Sequence, residues 1–338
     1  MRAGKTMNIA VTGVGGFPGQ SILKALQETE YNIIGIDGDE LGAGLFSTSR
    51  SYVGYYANHP KFIDRLIEIC SNENCRLIFP GLDCELIPLS HNIKKFKENN
   101  IFPVVSNPQV IKICDDKFET TKFLKNNNLP YLETYLLKDY NSELNFPVVL
   151  KPKKGGTGSV RTYIVENRKE FDSYSEIIDK DNCIVQEYVE GDEYTCGTVS
   201  FENGCVGVIL LRRQLKLRLG FTWRAFVVKD VELSHFVKNV INILKPFGAC
   251  NVQLRIRNGT PYIFEFNARC SGTTSSRASA GFNEPKMVCD YLLKGNKNPS
   301  YEIKEIAILR YLNELLVDIE KIKEIKLKNL LYHKGAKL

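Results

Sequence analysis

Metal-finger spacing is missing from this sequence. None of its ten cysteines stands in a C-x-x-C pair, and only four histidines are present. Zinc sites draw on clustered Cys and His ligands, so a zinc protein is not expected. No secretory leader is visible, and no apolar run approaches the length of a membrane span. The cysteines therefore read as reduced thiols in a cytoplasm, with no membrane partner. Charge of one sign is also scarce. Lys plus Arg number 45 against 39 Asp plus Glu, a net charge of +6. That excess is too mild and too scattered for a nucleic-acid partner, though it suits a polyphosphate ligand. There is no internal repeat and no long linker. What is present is a 338-residue chain, 43% hydrophobic, enough for two or three lobes with real cores. Residues 1–6 precede Met7 and read as a dispensable extension.

The first hundred residues alternate strand-like and helix-like segments. Met7–Gly13 predicts a buried strand, followed by a glycine-rich turn and a helix near Gln20–Glu28. Asn32–Asp37 and Arg76–Pro80 predict further strands, with helices over Phe62–Cys70 and Leu86–Asn99 and a short strand at Pro103–Ser106. Alternation of this kind implies a parallel, Rossmann-like sheet. The pattern then changes. A helix over Asp116–Asn126 is followed by β-rich runs broken by turn signals, which imply antiparallel hairpins. Asn203-Gly204 and Asn258-Gly259 are tight-turn pairs between such runs. The fold class expected is α/β followed by α+β, with lobes at 7–107, 108–182 and 183–338.

Four motifs carry chemistry. The first, TGVGGFPG (Thr12–Gly19), follows a strand and opens a helix, where backbone amides can hold an anion. With Asp37 after the second strand it permits a nicotinamide-dinucleotide reading. Its G-x-G-x-x-x-G spacing and Pro18 favour a plain strand-to-helix turn instead. The second is the loop Lys151-Pro152-Lys153-Lys154-Gly155-Gly156-Thr157-Gly158-Ser159. Lysine is a point charge suited to phosphate, and glycines let a backbone approach one closely. The lysines precede the glycines, so this is not a Walker loop; a solvated hairpin is the alternative. The third is Gln186-Glu187-Tyr188-Val189 with Glu193. Here a strand end can pair with a base and an acid can take ribose hydroxyls, or the segment is a polar connection. The fourth is Gln253 with Glu265, Asn267 and Arg269. Residues two apart on a strand share a face, so oxygen ligands for a hard cation and an arginine gather there.

In this order, Lys117 in DKFET, LKPKKGGTGS, QEYVEGDEYT and NVQLRIRNGTPYIFEFNARCSGTTSSR resemble the ATP-grasp superfamily. Within it they are similar to the carbamoyl-phosphate synthase large subunit and its single-unit relatives, which include the pyrrolysine-biosynthesis ligase. The resemblance spans roughly residues 7–290, with the first lobe as the pre-ATP-grasp domain. It implies that ATP lies between two lobes. Lys117, Lys151 and Lys153 would contact its phosphates, and Gly155, Gly156, Thr157, Gly158 and Ser159 would fold over them. Gln186, Glu187, Tyr188 and Val189 would face adenine, and Glu193 the ribose. Gln253, Glu265 and Asn267 would hold Mg²⁺ or Mn²⁺, and Arg269 would meet the transferred phosphoryl group. Ser271, Gly272 and Arg277 would border the acceptor, the alternative for Arg277 being to cap or screen the following helix. Apart from the resemblance, the basic stretch Arg212–Arg224 reads as a site for an anionic substrate, at Arg213, or as a solvated strand pair.

Only one ATP-grasp unit is present, without a glutaminase domain, so carbamoyl phosphate is not the expected product. The resemblance implies an ADP-forming ligase joining a small carboxylate to an amine through an acyl phosphate, compatible with a homodimer. A non-catalytic ATP-binding protein is the alternative on the same fold, and a nicotinamide-dependent oxidoreductase the alternative built on the first lobe.

Overall fold

The protein was analysed as a computed structural model that describes residues 7–155, 161–216 and 220–332. The first lobe is built from β1 (Met7–Thr12), α1 (Phe17–Leu26), β2 (Tyr31–Asp37), β3 (Arg50–Val53), α2 (Phe62–Asn72), β4 (Leu77–Phe79), α3 (Asp83–His91), α4 (Ile93–Glu98) and β5 (Phe102–Pro103). Strands β3-β2-β1-β4-β5 form a parallel sheet. Ile9, Ala10 and Val11 are fully buried, as strands covered on both faces require. The single helix expected over Leu86–Asn99 is two. Asn92 leaves helical geometry at φ −111°, ψ 16°, and its side-chain amide donates to the Pro88 carbonyl at 2.9 Å.

The glycine-rich turn is closed upon itself. The Gly15 amide donates to Asp37 Oδ2 at 2.6 Å. A Cβ on Gly19 would stand 2.1 Å from the Gly13 carbonyl oxygen, so this helix start tolerates only glycine. Asp37, the acid that a dinucleotide reading needs for a ribose, therefore braces the turn.

Helices α5 (Pro108–Asp115) and α6 (Lys117–Asn126) lead into a four-stranded antiparallel sheet, ordered β6-β9-β7-β8. Its strands are β6 (Thr134–Leu136), β7 (Val148–Pro152), β8 (Tyr163–Val165) and, after α7 (Arg168–Ile177), β9 (Cys183–Glu187). The third layer is β10 (Asp192–Phe201), β11 (Gly204–Lys216), β12 (Thr222–Val228), α8 (Val231–Leu244), β13 (Gly248–Arg257) and β14 (Thr260–Asn267). Then come α9 (Thr274–Ser279), α10 (Glu284–Lys294) and β15 (Ala307–Leu309). Its sheet is antiparallel, β14-β13-β10-β11-β12-β15. Both tight turns expected from Asn-Gly pairs join neighbouring strands here, β10 to β11 and β13 to β14.

The tail departs from expectation. After α11 (Ile319–Lys328), β16 (Leu330–Tyr332) pairs antiparallel with β3 at the edge of the first sheet. The chain end assigned to the third lobe thus returns to the first one. Leu331 and Ile325 are buried in the same core as Ile9 and Val11. No described helix is long and apolar enough to cross a membrane.

Candidate active site

Two adjoining cavities lie where the three sheets face one another. The first is lined by Phe17, Pro18 and Asp83 of the first lobe, by Asp115, Lys117 and Gly155, and by Asn251, Glu265, Asn267, Arg269 and the Ser271–Thr273 turn. The second has apolar walls, Leu132, Val149, Ile164 and Phe264, with Lys151, Gln186, Glu187, Tyr188, Val189 and Glu193 around them. Lys117, Arg213, Gly220, Gln253 and Glu265 line both, so the cavities meet at a cluster of charge.

Each lysine is held by its element. Asp116 caps α6, accepting from the Phe118 amide at 3.0 Å, and this sets Lys117 at the first helical position. Lys117 Nζ donates to the Gly155 carbonyl at 2.8 Å. Lys151, next to last in β7, is buried, and its Nζ donates to Gln186 Oε1 at 2.8 Å. Burial, then the nearby Lys117 charge, pushes the Lys151 ammonium down to about 7. Gln186 in turn donates to Thr134 at 2.9 Å, so its side chain orients Lys151.

Glu193 receives Arg213 at 2.7 Å and Arg255 at 3.0 Å. Arg255 also donates to the Val189 carbonyl at 2.7 Å and lies over the Tyr188 ring, tying the hinge to the large sheet. The sequence reading passed over Arg255. Its signal was available: on a strand it shares a face with Gln253.

Gln253, Glu265 and Asn267 converge as the strand register demands, with Gln253 opposite Glu265. Gln253 donates to Glu265 Oε2 at 3.2 Å and Asn267 donates to Oε1 at 3.2 Å. Asn251, directly opposite Asn267, donates to its oxygen at 3.1 Å. One carboxylate among amide oxygens fits a hard divalent cation that takes its remaining ligands from a phosphate chain. Arg269 is buried beside this cluster. It pairs with Asp83 from the first lobe and donates to the Cys270 carbonyl at 2.9 Å.

Two expected contacts are not formed. Arg277 is fully buried and lines neither cavity. Its guanidinium pairs with Glu284 at 2.7 Å and donates to Thr195 at 3.2 Å and to Asn251. It cannot meet a substrate anion without breaking a buried ion pair, and it supports the cavity floor instead. A Cβ on Gly197 would come within 2.6 Å of both Arg277 and Glu284, so β10 is shaped around the pair. Lys153 turns toward Asp116 at 4.0 Å and lines neither cavity. Gly156, Thr157, Gly158 and Ser159 lie outside the described residues. Asp83 and Phe17, contributed by the first lobe, were not anticipated; nothing local marks them, since their placement depends on how the lobes pack.

A lysine-bearing four-stranded sheet facing an oxygen-rich antiparallel sheet across a nucleotide-sized cleft defines the ATP-grasp class. The ATP-grasp domain family matches residues 114–273, and the PylC-like N-terminal domain family matches residues 9–105. The chain thus carries a PylC-like N-terminal domain followed by an ATP-grasp domain. It is 26% identical over 191 residues to D-alanine–D-alanine ligase A of Bacillus cereus, covering 51% of this chain and 62% of that one. It is 24% identical over 249 residues to the D-alanine–D-alanine ligase of Bacillus anthracis, covering 65% and 81%. The chain thus spans less than two thirds of the first of these relatives and more of the second. Among solved structures, the ADP complex of the N5-carboxyaminoimidazole ribonucleotide synthetase PurK superposes with a TM-score of 0.73. That match has 16% identity over 95% of this chain and 84% of the other, a likeness of fold.

Proposed function

We propose that this chain is an ADP-forming ligase that joins a small carboxylate to an amine through an acyl phosphate. The observation that carries the reading is the junction of the two cavities. An apolar slot ending in buried lysines opens, at Lys117, Gln253 and Glu265, into the cavity lined by Asp83, Asn267, Arg269 and the Ser271–Thr273 turn. Adenine fits between Val149, Ile164 and Phe264, beside the Glu187–Val189 hinge. Glu193 accepts from ribose hydroxyls, and Lys117 and Lys151 neutralise phosphates. Mg²⁺ or Mn²⁺ held by Gln253, Glu265 and Asn267 would supply charge neutralisation across the phosphate oxygens.

In that cavity, a substrate carboxylate oxygen bonds to the γ-phosphorus while the bond to the ADP oxygen breaks. Arg269 is positioned to stabilise charge on the transferred group, and positioning with electrostatics dominates such a step. The amine nitrogen then attacks the acyl carbon, phosphate leaves with the electron pair, and the amine loses a proton. The D-alanine–D-alanine ligases among the relatives accord with this carbon–nitrogen chemistry.

The test is isotopic. With substrates found by screening ADP release over paired amino acids, ¹⁸O in the substrate carboxylate is expected in released phosphate. Label in AMP, with pyrophosphate released, overturns the ADP-forming reading.

A further inference from the structure

Strand β13 keeps apolar residues on one face and polar residues on the other. Val252 and Leu254 are fully buried, and Asn251, Gln253, Arg255 and Arg257 alternate with them. Asn251 and Gln253 meet the oxygen cluster. Arg255 and Arg257 carry the same face on to residues 188–191, which join β9 to β10 and so link the two ATP-grasp sheets. There the strand grips the connection at three points. Arg255 Nη1 donates to the Val189 carbonyl at 2.7 Å, and its Cζ lies 5.3 Å from the centre of the Tyr188 ring. Arg257 Nη1 donates to Glu187 at 2.7 Å. Gly191, at φ +124°, packs so closely on the Ile256 carbonyl that a Cβ would stand 1.9 Å from its oxygen.

Arg255 stands directly opposite Glu193 on β10. Its Nε and Nη2 both donate to Glu193 Oε2, at 3.2 and 3.0 Å. Arg213 holds the other oxygen of the same carboxylate at 2.7 Å. Arg255 lines the second cavity, yet each of its three nitrogens already donates to the protein. Its work is therefore on its neighbours. A glutamate left to rotate must be ordered when a ligand arrives, which costs affinity; one held beforehand need not be. Arginine suits the task, because its planar fork fixes the orientation of a carboxylate as well as meeting its charge. One guanidinium holds both the Val189 carbonyl and the Glu193 carboxylate, so the hinge and the acid keep a fixed relation.

We propose that Arg255 is a positioning residue for the nucleotide. It acts through Glu193 and the Val189 carbonyl, fixing the ribose acceptor against the hinge before the ligand arrives, so that the ribose hydroxyls contribute affinity. This rests on the nucleotide reading above and adds that the ribose is read through Arg255.

The experiment uses the full chain with Mg²⁺ and follows two probes, ADP and 2′,3′-dideoxy-ADP, by calorimetry. Wild type should bind ADP about tenfold or more tightly than the dideoxy form, the scale of hydrogen bonds to a carboxylate. In Arg255→Met the ADP affinity should fall about tenfold and the dideoxy affinity little, bringing the two within about twofold of each other. Glu193 keeps Arg213 in that variant, so no buried carboxylate is left unpaired. Where Arg255→Met does not fold, Arg255→Lys carries the same prediction, since it keeps the charge but loses the planar fork. A further variant separates positioning from a general loosening of the hinge. Arg257→Met loses the Glu187 contact but leaves Glu193 held, and it should keep the wild-type preference for ADP. Equal binding of the two probes by wild type, a preference kept in Arg255→Met, or a preference lost equally in Arg257→Met overturns the assignment and leaves the nucleotide reading intact. A wild type that binds neither probe removes the nucleotide reading, and the role of Arg255 with it.

Discussion

Lys151 is the side chain whose chemistry should change most when the cleft fills. Alone, it is buried and pushed down to about 7. In the unfolded chain it titrates near 10.5. Between those values the unfolded state binds more protons than the folded one, so this lysine makes stability rise with pH across that window and weakens the fold below it. A polyphosphate beside Nζ restores the charged form. We therefore expect ADP or ATP binding at pH 8 to take up part of a proton. Calorimetry in two buffers of different ionisation enthalpy reads this directly as a difference in apparent heat. Lys151→Met should remove most of the difference. Equal heats in both buffers for the wild type would show that no anion meets this lysine. The residue was legible in the sequence because it ends a strand before a glycine run. Arg277 was legible only as an arginine. Its partner Glu284 lies seven residues on, across the break between α9 and α10, and nothing local announces that both are buried.

Elements were legible where periodicity or turn chemistry was strong. Long strands, Asn-Gly hairpins and the helix capped by Asp116 follow from local sequence. Short edge strands do not. Three residues cannot display a period of two, and β6 and β16 are held by neighbours far away in the chain. β16 shows what this means for energy. Its ladder to β3 is three residue pairs long. A strand so short is held chiefly by its central side chain, Leu331, which is 1% exposed. Leu331→Ala should lower unfolding stability by about 2–5 kcal/mol, the range for truncating a buried leucine. Urea titration measures it. A loss under about 0.5 kcal/mol, the scale of an ordinary surface change, would mean that the tail does not dock.

For the whole molecule, the site exists only because three sheets face one cleft. The first lobe supplies Asp83 and Phe17, helix α6 and the small sheet Lys117 and Lys151, and the large sheet its oxygen cluster. The Asp83–Arg269 pair spans the first and third lobes, so a ligand that engages Arg269 acts on lobe packing as well as on its own contacts. Anything that binds only the folded state stabilises it by mass action, about 2.7 kcal/mol at a hundredfold excess over Kd. Mg·ATP and Mg·ADP should therefore raise the melting temperature, and NADH should not, since the glycine turn of the first lobe is occupied by Asp37. Glu265→Gln separates the fold from the chemistry. It keeps the hydrogen bonds that a neutral amide can accept but removes the full charge of the oxygen cluster. The expected outcome is an unliganded melting temperature close to wild type, a diminished magnesium dependence of the ATP shift, and turnover lost. A shift from NADH with none from millimolar ATP would overturn the nucleotide assignment. Wild-type turnover in Glu265→Gln would place the metal ligands elsewhere in the cleft, with Asp83 and Asp115, the other acids lining the first cavity, the next to test.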